Sequence, residues 1–322
     1  MEKKQFDVVA LGELLIDFTR SGLSEQGNPL FEANPGGAPG NVLAMLRKLQ
    51  KSTAFIGKVG NDFFGSLLVE TVREAGVDVR GILRDAEIPT TLALVNTFPN
   101  GDRDFSFYRK PGADVLLREE ELNEELLRSC RIFHFGTLSL TDEPCRSATV
   151  RAVSIAKEAG AMISFDPNWR PPLWSSEEAA REQIAWGLGQ CEILKIADNE
   201  IFFMTGEKDF DRGAAALKAQ YPNIRLLNVT AGADGSYSYY DPMRAFEPAC
   251  KRGGVIETTG AGDTFCACVL NYVLEHGLED LKEEQLHEML RFANTAAYIV
   301  TTRKGAIRSM PEPEEVQAIL QG

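Results

Sequence analysis

The sequence lacks the short motifs that would assign a chemistry directly. No stretch matches a GxxxxGK phosphate loop followed by Ser or Thr, and the GxGxxG dinucleotide pattern fails at GAGDTF, where Phe265 replaces the last glycine. The chain has only 3 histidines, His134, His276 and His287, without metal-ligand spacing. These absences disfavour a zinc enzyme and a serine hydrolase, and we expect His134 to be a satisfied core or cleft residue.

Paired cysteines and long apolar runs are also missing. The 6 cysteines include no CxxC pair and most lie in apolar segments, which predicts buried free thiols rather than a disulfide framework. No run is long enough to span a bilayer, and the apolar part of the N-terminal segment is too short for a signal peptide. We therefore expect a cytoplasmic protein without a membrane partner.

Basic residues are outnumbered, with 34 Lys and Arg against 47 Asp and Glu and a net charge of −13. A nucleic acid or an anionic membrane would need a basic face, so this balance disfavours both as partners. An anionic ligand remains compatible with the composition if its site is locally positive.

What the sequence does contain is an alternation of apolar strands and amphipathic helices. Strands are predicted at 6–12, 53–60, 131–136, 161–166, 192–197 and 224–232, the last leading into short strands through Tyr240 and near Phe246. Helices are predicted at 39–50, 62–76, 142–159, 175–190, 198–206, 211–220, 261–275, 284–300 and 312–320. The alternation predicts an α/β fold with a central, mainly parallel sheet covered by helices on both faces. Without a linker or an internal repeat, residues 1–322 are predicted to form one domain.

Two β-prone segments interrupt this alternation. Residues 90–110 are rich in β-branched and aromatic residues around a PNGD turn, which is typical of a hairpin. A shorter β-prone piece spans 16–34. We expect the two segments, about 16–35 and 90–112, to form a small sheet off the main body.

Polar and small residues collect where the predicted strands end, which is where open α/β sheets bind ligands. They include Asp17, the turn NPGGAPGN at 34–41, and the segments DPNWRPPLW, DNE and TAGADG after later strands. The segment ETTGAGDTF then places Asp263 at the start of an apolar helix.

Asp263 allows two interpretations. The first backbone N–H groups of a helix are unpaired and partly positive, and glycines at 260 and 262 would let a phosphoryl group approach them. An adjacent acid could then take a proton from an attacking hydroxyl. Alternatively, Asp263 only caps the helix, and this stretch alone favours that interpretation because such caps are common. The occurrence of three glycine-containing segments, GGAPGN, TAGADG and TTGAGD, in this order on one α/β chain shifts the balance towards a phosphoryl site.

Taken together, these segments resemble the ribokinase-like (PfkB) carbohydrate kinase family over nearly the whole chain. The likeness rests on GELLID at the first strand, GGAPGN at 36–41, DPNWRPPLW at 166–174, TAGADG at 230–235, TTGAGD at 258–263, and FANTAA with TRKGA at 292–306. It implies a ribokinase-like three-layer sandwich, with the small sheet as a β lid over the sugar. It also implies an ATP-dependent sugar kinase that uses Mg²⁺.

The resemblance assigns roles to matching positions. Asp263 would be the base, with Gly260, Ala261 and Gly262 forming the anion hole. The sugar would be bound by Asp17, Gly36, Gly37, Asn41, Phe107, Arg109 and Arg170. The nucleotide would be bound by Lys195, Thr230, Gly232, Gly235 and Asn294. Glu200 would organise Mg²⁺ through water, although the NxxE pattern reads ADNE here, with Ala197 in place of Asn.

A monovalent cation such as K⁺ is a further expectation from the resemblance. Its site would comprise Glu257, Thr259, Val300, Arg303 and Gly305, with Ser309 close by. The acid that opens the second glycine signature is usually Asp, so the longer Glu257 either distorts this site or still serves it.

The acceptor is indicated by two segments, FSFYRKPGAD at 105–114 and FDPNWRPPLW, which resemble the fructokinase branch. Arg109 and Arg170 suit hydroxyls or phosphates, and a carboxylated acceptor would use them more strongly, so 2-keto-3-deoxygluconate kinase and other sugar or nucleoside kinases of the family remain alternatives. Both arginines could instead form surface ion pairs. Phe105 and Phe107 share one strand face, and we place Phe107 near the sugar and Phe105 in packing.

Two expectations concern assembly and class. In the family the lid often serves as a dimer interface, so a homodimer through the lid is implied. A non-catalytic binding or regulatory protein on the same fold is the alternative from a different class, and the predicted base with its anion hole argues against it.

Overall fold

The computed structural model of the protein describes residues 4–97 and 103–322, without the side chains of 96–97 and 103–105. The strands are β1 Phe6–Leu11, β2 Leu15–Leu23, β3 Pro29–Gly36, β4 Thr53–Gly60, β5 Asp78–Asp85, β6 Leu92–Thr97, β7 Arg103–Tyr108, β8 Cys130–Gly136, β9 Met162–Asp166, β10 Ile193–Ala197, β11 Leu226–Thr230, β12 Ser236–Tyr240 and β13 Met243–Glu247. The α-helices are α1 Ala38–Lys48, α2 Phe63–Glu74, α3 Glu124–Arg128, α4 Cys145–Glu158, α5 Glu177–Leu188, α6 Asp198–Thr205, α7 Phe210–Gln220, α8 Ala261–His276, α9 Glu283–Thr301 and α10 Pro313–Gln321.

The larger sheet has nine strands in the order β13-β12-β11-β10-β9-β8-β1-β4-β5. The strands from β5 to β11 pair in parallel, and β12 and β13 add antiparallel at one edge. One apolar cluster packs α1, α8 and α9 on one face, and a second packs α4, α5 and α7 on the other. The predicted α/β fold with helices on both faces is therefore confirmed.

The smaller sheet has four strands in the order β3-β2-β6-β7. β6 and β7 form an antiparallel hairpin, β2 and β3 pair antiparallel, and β2 joins the two pairs in parallel with β6. These strands come from the two β-prone segments of the sequence. The side chain of Phe105, which was predicted to pack, lies outside the described residues.

One strand of the large sheet has no counterpart in the sequence analysis. β5 lies at the edge of the sheet and most of its residues are only half-buried. Because an edge strand needs an apolar face on one side at most, its sequence DVRGILRD carries no continuous apolar signal.

Within residues 4–97 and 103–322, none of the helices combines the length and the apolar character needed to cross a membrane. The cysteines there are unpaired thiols, and all but Cys250 are buried, as the sequence predicted.

Candidate active site

A cavity of about 770 Å³ opens where several strands of the large sheet end. It is bounded by the end of β10, the end of β11, the start of α1 and the start of α8, and β2 and β7 of the small sheet contribute Asp17 and Phe107 to its wall. The topology thus brings chain segments more than 200 residues apart to one cleft, the position where open α/β sheets bind ligands.

Asp263 faces this cavity from the first turn of α8. Its Oδ2 accepts a hydrogen bond of 2.7 Å from Nδ2 of Asn41, which lies in the first turn of α1. Burial raises the pKa of Asp263 to about 6, against the lowering effect of the Asn41 hydrogen bond. A carboxyl that titrates near neutral pH and is held in one orientation suits a general base.

The start of α8 supplies the predicted anion site. Gly260 precedes the helix with φ of 79°, a left-handed conformation that glycine adopts without strain. The Ala261 amide donates a long hydrogen bond of 3.3 Å to Thr258 O, and this bond is weak because of its length. The amides of Gly262 and Asp263 follow in the same turn, where helix geometry provides no intrahelical acceptor.

Lys195 brings a positive charge beside these amides. Its Nζ pairs with Asp166 at 3.0 Å, and a Cβ added at Gly262 would lie 3.3 Å from the same Nζ. Burial alone would lower the pKa of Lys195, but the Asp166 carboxylate, helped by Glu200 and Asp263, raises it. The ammonium therefore stays charged in a site where an anion would meet it. Asp166 lies in the predicted site segment DPNWRPPLW but was not predicted as a site residue.

Glu200 lies in the same wall and is 3% exposed. Its Oε1 accepts from the Trp169 amide and its Oε2 from the Ala197 amide, each at 2.7 Å. The second contact caps α6, so Ala197, in place of the usual Asn, still begins the helix through its backbone. Burial raises the pKa of Glu200, and the Lys195 charge opposes that rise.

The residues predicted to bind the acceptor, Asp17, Gly37, Asn41 and Phe107, line the cavity. Gly37 has φ of 121°, and a Cβ there would lie 2.3 Å from the carbonyl oxygen of Glu13, so the turn before α1 requires glycine. Gly36 supports this wall, because a Cβ there would lie 2.8 Å from Oδ2 of Asp17. Arg170 also lines the cavity, and its charge acts on Asp263.

Arg109 departs from the prediction that it faces the sugar. The side chain is buried, and its guanidinium pairs with Asp114 at 2.7 Å while donating to Thr141 Oγ1 and Leu138 O. It is not among the residues that line the cavity. The reason is its position directly after β7, where the chain turns back onto the large sheet and the nearby Asp114 satisfies the charge.

Glu13 is a buried acid that the sequence analysis quoted within GELLID without assigning a role. It lines the cavity, and its Oε1 accepts a hydrogen bond of 2.8 Å from the Ala38 amide. Burial raises its pKa to about 7, against the lowering effects of that hydrogen bond and of the Arg109 charge. An acid two residues after the first buried strand was the available signal for it.

The other end of the cavity contains the predicted nucleotide residues Thr230, Gly232, Gly235 and Asn294. The amide group of Asn294 is committed to protein groups. Its Oδ1 accepts from Ser236 Oγ at 2.8 Å, and its Nδ2 donates to Glu247 O and Pro248 O. Asn294 therefore holds the 247–250 loop that borders this end, and offers few polar atoms to a ligand.

The residues predicted for a monovalent cation gather behind the start of α8. Glu257 Oε1 accepts from the Gly305 amide at 2.8 Å, and Ser309 Oγ donates to Gly305 O at 2.9 Å. The Arg303 amide donates to Val300 O at 3.1 Å. Thr259 lines the cavity itself. Each carbonyl keeps a second lone pair, so these contacts do not exclude a cation.

His134 behaves as the sequence predicted. It is buried in β8, its Nδ1 lies 3.0 Å from Ser164 Oγ, and burial lowers its pKa to about 3. A neutral, hydrogen-bonded imidazole in the core has no part in the site.

Comparison with known proteins agrees with this geometry. The model of the pfkB family carbohydrate kinases matches residues 5–313. The chain belongs to this family. Probable fructokinase-2 from Arabidopsis thaliana is 44% identical over 318 residues, a match that covers 98% of this chain and 95% of the relative. Membership in a family of carbohydrate kinases makes this chain a phosphotransferase that acts on a sugar hydroxyl.

Solved structures of the family superpose over nearly the whole chain. Fructokinase from Xylella fastidiosa with bound ATP has a TM-score of 0.88 at 30% identity, covering 98% of each chain. Fructokinase from Vibrio cholerae O395 in a form with fructose, ADP and calcium ion has a TM-score of 0.85 at 29% identity, covering 98% of this chain and 99% of that one. The expected ribokinase-like architecture is thereby confirmed.

Proposed function

We propose that this carbohydrate kinase is an ATP-dependent fructokinase, which transfers the γ-phosphoryl group of ATP to a primary hydroxyl of fructose. One observation carries the proposal: the carboxylate of Asp263, held by Asn41 at 2.7 Å, shares a cavity with the opening amides of α8 and the Lys195 ammonium. A base, an anion site and a cation thus meet at one point, which is what phosphoryl transfer requires.

The residues divide the work of the reaction. Asp263 accepts the proton of the attacking hydroxyl, and the Asn41 hydrogen bond keeps its carboxylate aimed at the acceptor. The amides at the start of α8 donate to the phosphoryl oxygens, and Lys195 opposes their charge. The Ala261 amide joins them if its long contact to Thr258 O gives way. Phe107 and the small sheet enclose the acceptor and exclude water.

A divalent metal fits the site as a companion of the nucleotide. Both oxygens of Glu200 accept backbone N–H groups, so this carboxylate is better suited to a metal-bound water than to the ion itself. Mg²⁺ keeps several waters and takes ligands from substrate phosphates, so few protein carboxylates are needed. When bound, such a metal would neutralise charge on the transferring phosphoryl group.

The deciding experiment is an ADP-release assay with fructose, 2-keto-3-deoxygluconate, ribose and aminoimidazole riboside, each with ATP and Mg²⁺. We expect the highest kcat/KM with fructose. Preference for the carboxylated acceptor would replace the fructokinase proposal by 2-keto-3-deoxygluconate kinase. Absence of turnover with every acceptor would instead favour a binding or regulatory protein.

We also propose that the cluster around Glu257 binds a monovalent cation. Its carboxylate already reaches the Gly305 amide, so a cation would share the other oxygen with nearby carbonyls. Repeating the assay with potassium or tetramethylammonium chloride at equal ionic strength tests this. We expect potassium to raise kcat, and equal rates in both salts would contradict the proposal.

For assembly, we propose a homodimer through the small sheet. Its β2–β3 pair exposes Leu23, Leu30 and Phe31 at 58%, 46% and 40%, which is unusual for large apolar side chains that share one hairpin. Light scattering after size exclusion should give about twice the chain mass of 35.5 kDa. The Phe31→Ser variant should shift the mass towards the monomer, and a monomeric wild type would contradict the proposal.

A further inference from the structure

A buried carboxylate at the acceptor end of the cavity has no part in the mechanism above. Glu13 is 3% exposed and lines the cavity. Its Oε1 is occupied by the Ala38 amide at 2.8 Å. For its Oε2, no hydrogen bond from another residue is found in the described part of the chain, although the backbone N–H of Glu13 itself lies close enough to lower the pKa of the carboxyl. An acceptor atom that borders a ligand cavity without a donor from a neighbouring residue is satisfied by a ligand or by water.

The positive charge nearest to Glu13 belongs to a residue outside the cavity lining. Near it lies Arg109, whose guanidinium pairs with Asp114 and donates to Thr141 Oγ1 and Leu138 O. Arg109 lowers the pKa of Glu13 through its field, but it is not among the residues that line the cavity. Arg109 was predicted to bind the acceptor, but its guanidinium does not line the cavity.

On the cavity side, Glu13 is accompanied by two more acids, Asp17 and Asp263. Lys195 and Arg170, two of the cations that line the cavity, act on the carboxylate of Asp263, and Lys195 is also paired with Asp166. The acceptor end thus presents carboxylates, which only accept hydrogen bonds, to whatever enters it.

From this arrangement we propose that Glu13 determines acceptor specificity: its carboxylate accepts a hydrogen bond from a hydroxyl of a neutral sugar and repels a sugar acid. This inference rests on the proposed function, in that the cavity must bind a sugar acceptor. A hydroxyl donates to Oε2 and satisfies it, whereas the carboxylate of 2-keto-3-deoxygluconate would bring like charge against a buried acid.

A purely structural role for Glu13 is the competing explanation, because its Oε1 also caps the first turn of α1. Two variants separate the roles. Glu13→Gln keeps an oxygen for the Ala38 amide, but it removes the charge and replaces Oε2 by an NH₂ group, which donates hydrogen bonds. Glu13→Asp keeps the charge but withdraws it from that amide, so it weakens the cap and preserves the repulsion.

The test compares kcat/KM for fructose and for 2-keto-3-deoxygluconate at pH 8, where a carboxyl with a pKa of about 7 is mostly ionised. In Glu13→Gln we expect kcat/KM for fructose to fall about tenfold, the loss typical of a hydrogen bond to a charged group. The ratio of fructose to the sugar acid should fall by about tenfold or more, because a like-charge contact disappears. In Glu13→Asp the ratio should stay within about threefold of wild type, since the charge remains.

Glu182→Gln is the matched control, because Glu182 is an exposed acid on α5, outside the small sheet, and does not line the cavity. It makes the same change in net charge and should alter neither rate nor ratio. An unchanged ratio in Glu13→Gln, with both acceptors losing activity equally, would overturn the inference and leave only the cap. A tenfold or larger fall in the ratio of fructose to the sugar acid in Glu13→Asp would overturn the inference as well. This test remains available even if Glu13→Gln does not fold.

Failure of the proposed function gives a different result. If the wild type prefers another neutral sugar, fructose is wrong as the acceptor, and the same ratio is measured with that sugar. If the wild type prefers 2-keto-3-deoxygluconate, both the fructokinase proposal and the role of Glu13 are overturned.

Discussion

The two sheets meet the cavity in different ways. The strands of the large sheet are covered on both faces, and the groups that they carry into the cavity, such as Lys195 and Glu200, are hydrogen-bonded to other protein groups. The small sheet packs less, and its β2–β3 pair leaves Leu23 and Phe31 exposed. The contrast indicates that the charged groups are oriented by a rigid framework, whereas Asp17 and Phe107 reach the cavity from a sheet that is less buried.

The sharpest test of the framework is Asp263→Asn. Asn keeps the shape and an oxygen for the Asn41 contact but cannot take a proton, so we expect kcat to fall by about 10³-fold, within the range for loss of a general base. Stabilisation by ATP in thermal unfolding should persist, because the amides at the start of α8 remain. A variant that keeps most of the wild-type rate would exclude Asp263 as the base.

The junction between the sheets is tested by Arg109→Met. The substitution leaves the Asp114 carboxylate buried without its partner, which should cost about 3 kcal/mol in the free energy of unfolding, measured with denaturant. Arg80→Met is the control, since its ion pair with Asp78 is exposed and should contribute less than about 1 kcal/mol. Equal losses in the free energy of unfolding for the two variants would mean that the buried Arg109–Asp114 pair contributes no more to stability than an exposed pair.

The pH dependence of kcat/KM tests the raised pKa of Asp263. With a pKa raised to about 6, Asp263 is protonated below that pH and cannot act as a base. Since the ionised forms of Asp263 and, with a pKa of about 7, of Glu13 are both required, kcat/KM should be level only above about pH 8 and fall about tenfold per unit well below pH 6. The residual rate of Asp263→Asn should lose this dependence. A profile that breaks only near pH 4 would mean that burial does not raise this pKa.

The smallest expected effect belongs to the small sheet. Phe107→Leu removes part of the apolar wall over the acceptor, so KM for fructose should rise about fivefold, as expected for about 1 kcal/mol of lost contact, with kcat nearly unchanged. Tyr108→Leu, at an adjacent residue that is 64% exposed, should have little effect. Identical effects of both variants would mean that Phe107 does not contact the acceptor.

Sequence reasoning predicted the alternation and the cleft because both depend on local features. Apolar runs and helix starts are written in consecutive residues, so strands such as β4 and helices such as α8 fell where they were expected. The edge strand β5 was missed because its residues are half-exposed and lack an apolar run. The glycine turns before α1 and α8 were recognisable from their residues alone.

The two arginines show where such reasoning stops. Arg109 and Arg170 are each followed by proline within two residues in predicted site segments, and both were assigned to the acceptor. Only Arg170 lines the cavity, because Arg109 meets Asp114, Thr141 and Leu138, two of which lie about 30 residues away in sequence. Glu13 follows β1 by two residues, so its place at a strand end was visible in the sequence, but that position does not distinguish an acid that faces the cavity from one that caps a helix.

The amino-acid order by itself determined the fold class, the strand ends that form the cleft and the family, because each is carried by short segments with their own backbone and packing preferences. The tertiary structure decided which charges face the cavity and which neutralise one another, among them the Asn41–Asp263 contact across 222 positions. Pairing of charges depends on distances of a few ångströms between distant segments, and such distances exist only once the sheet has assembled.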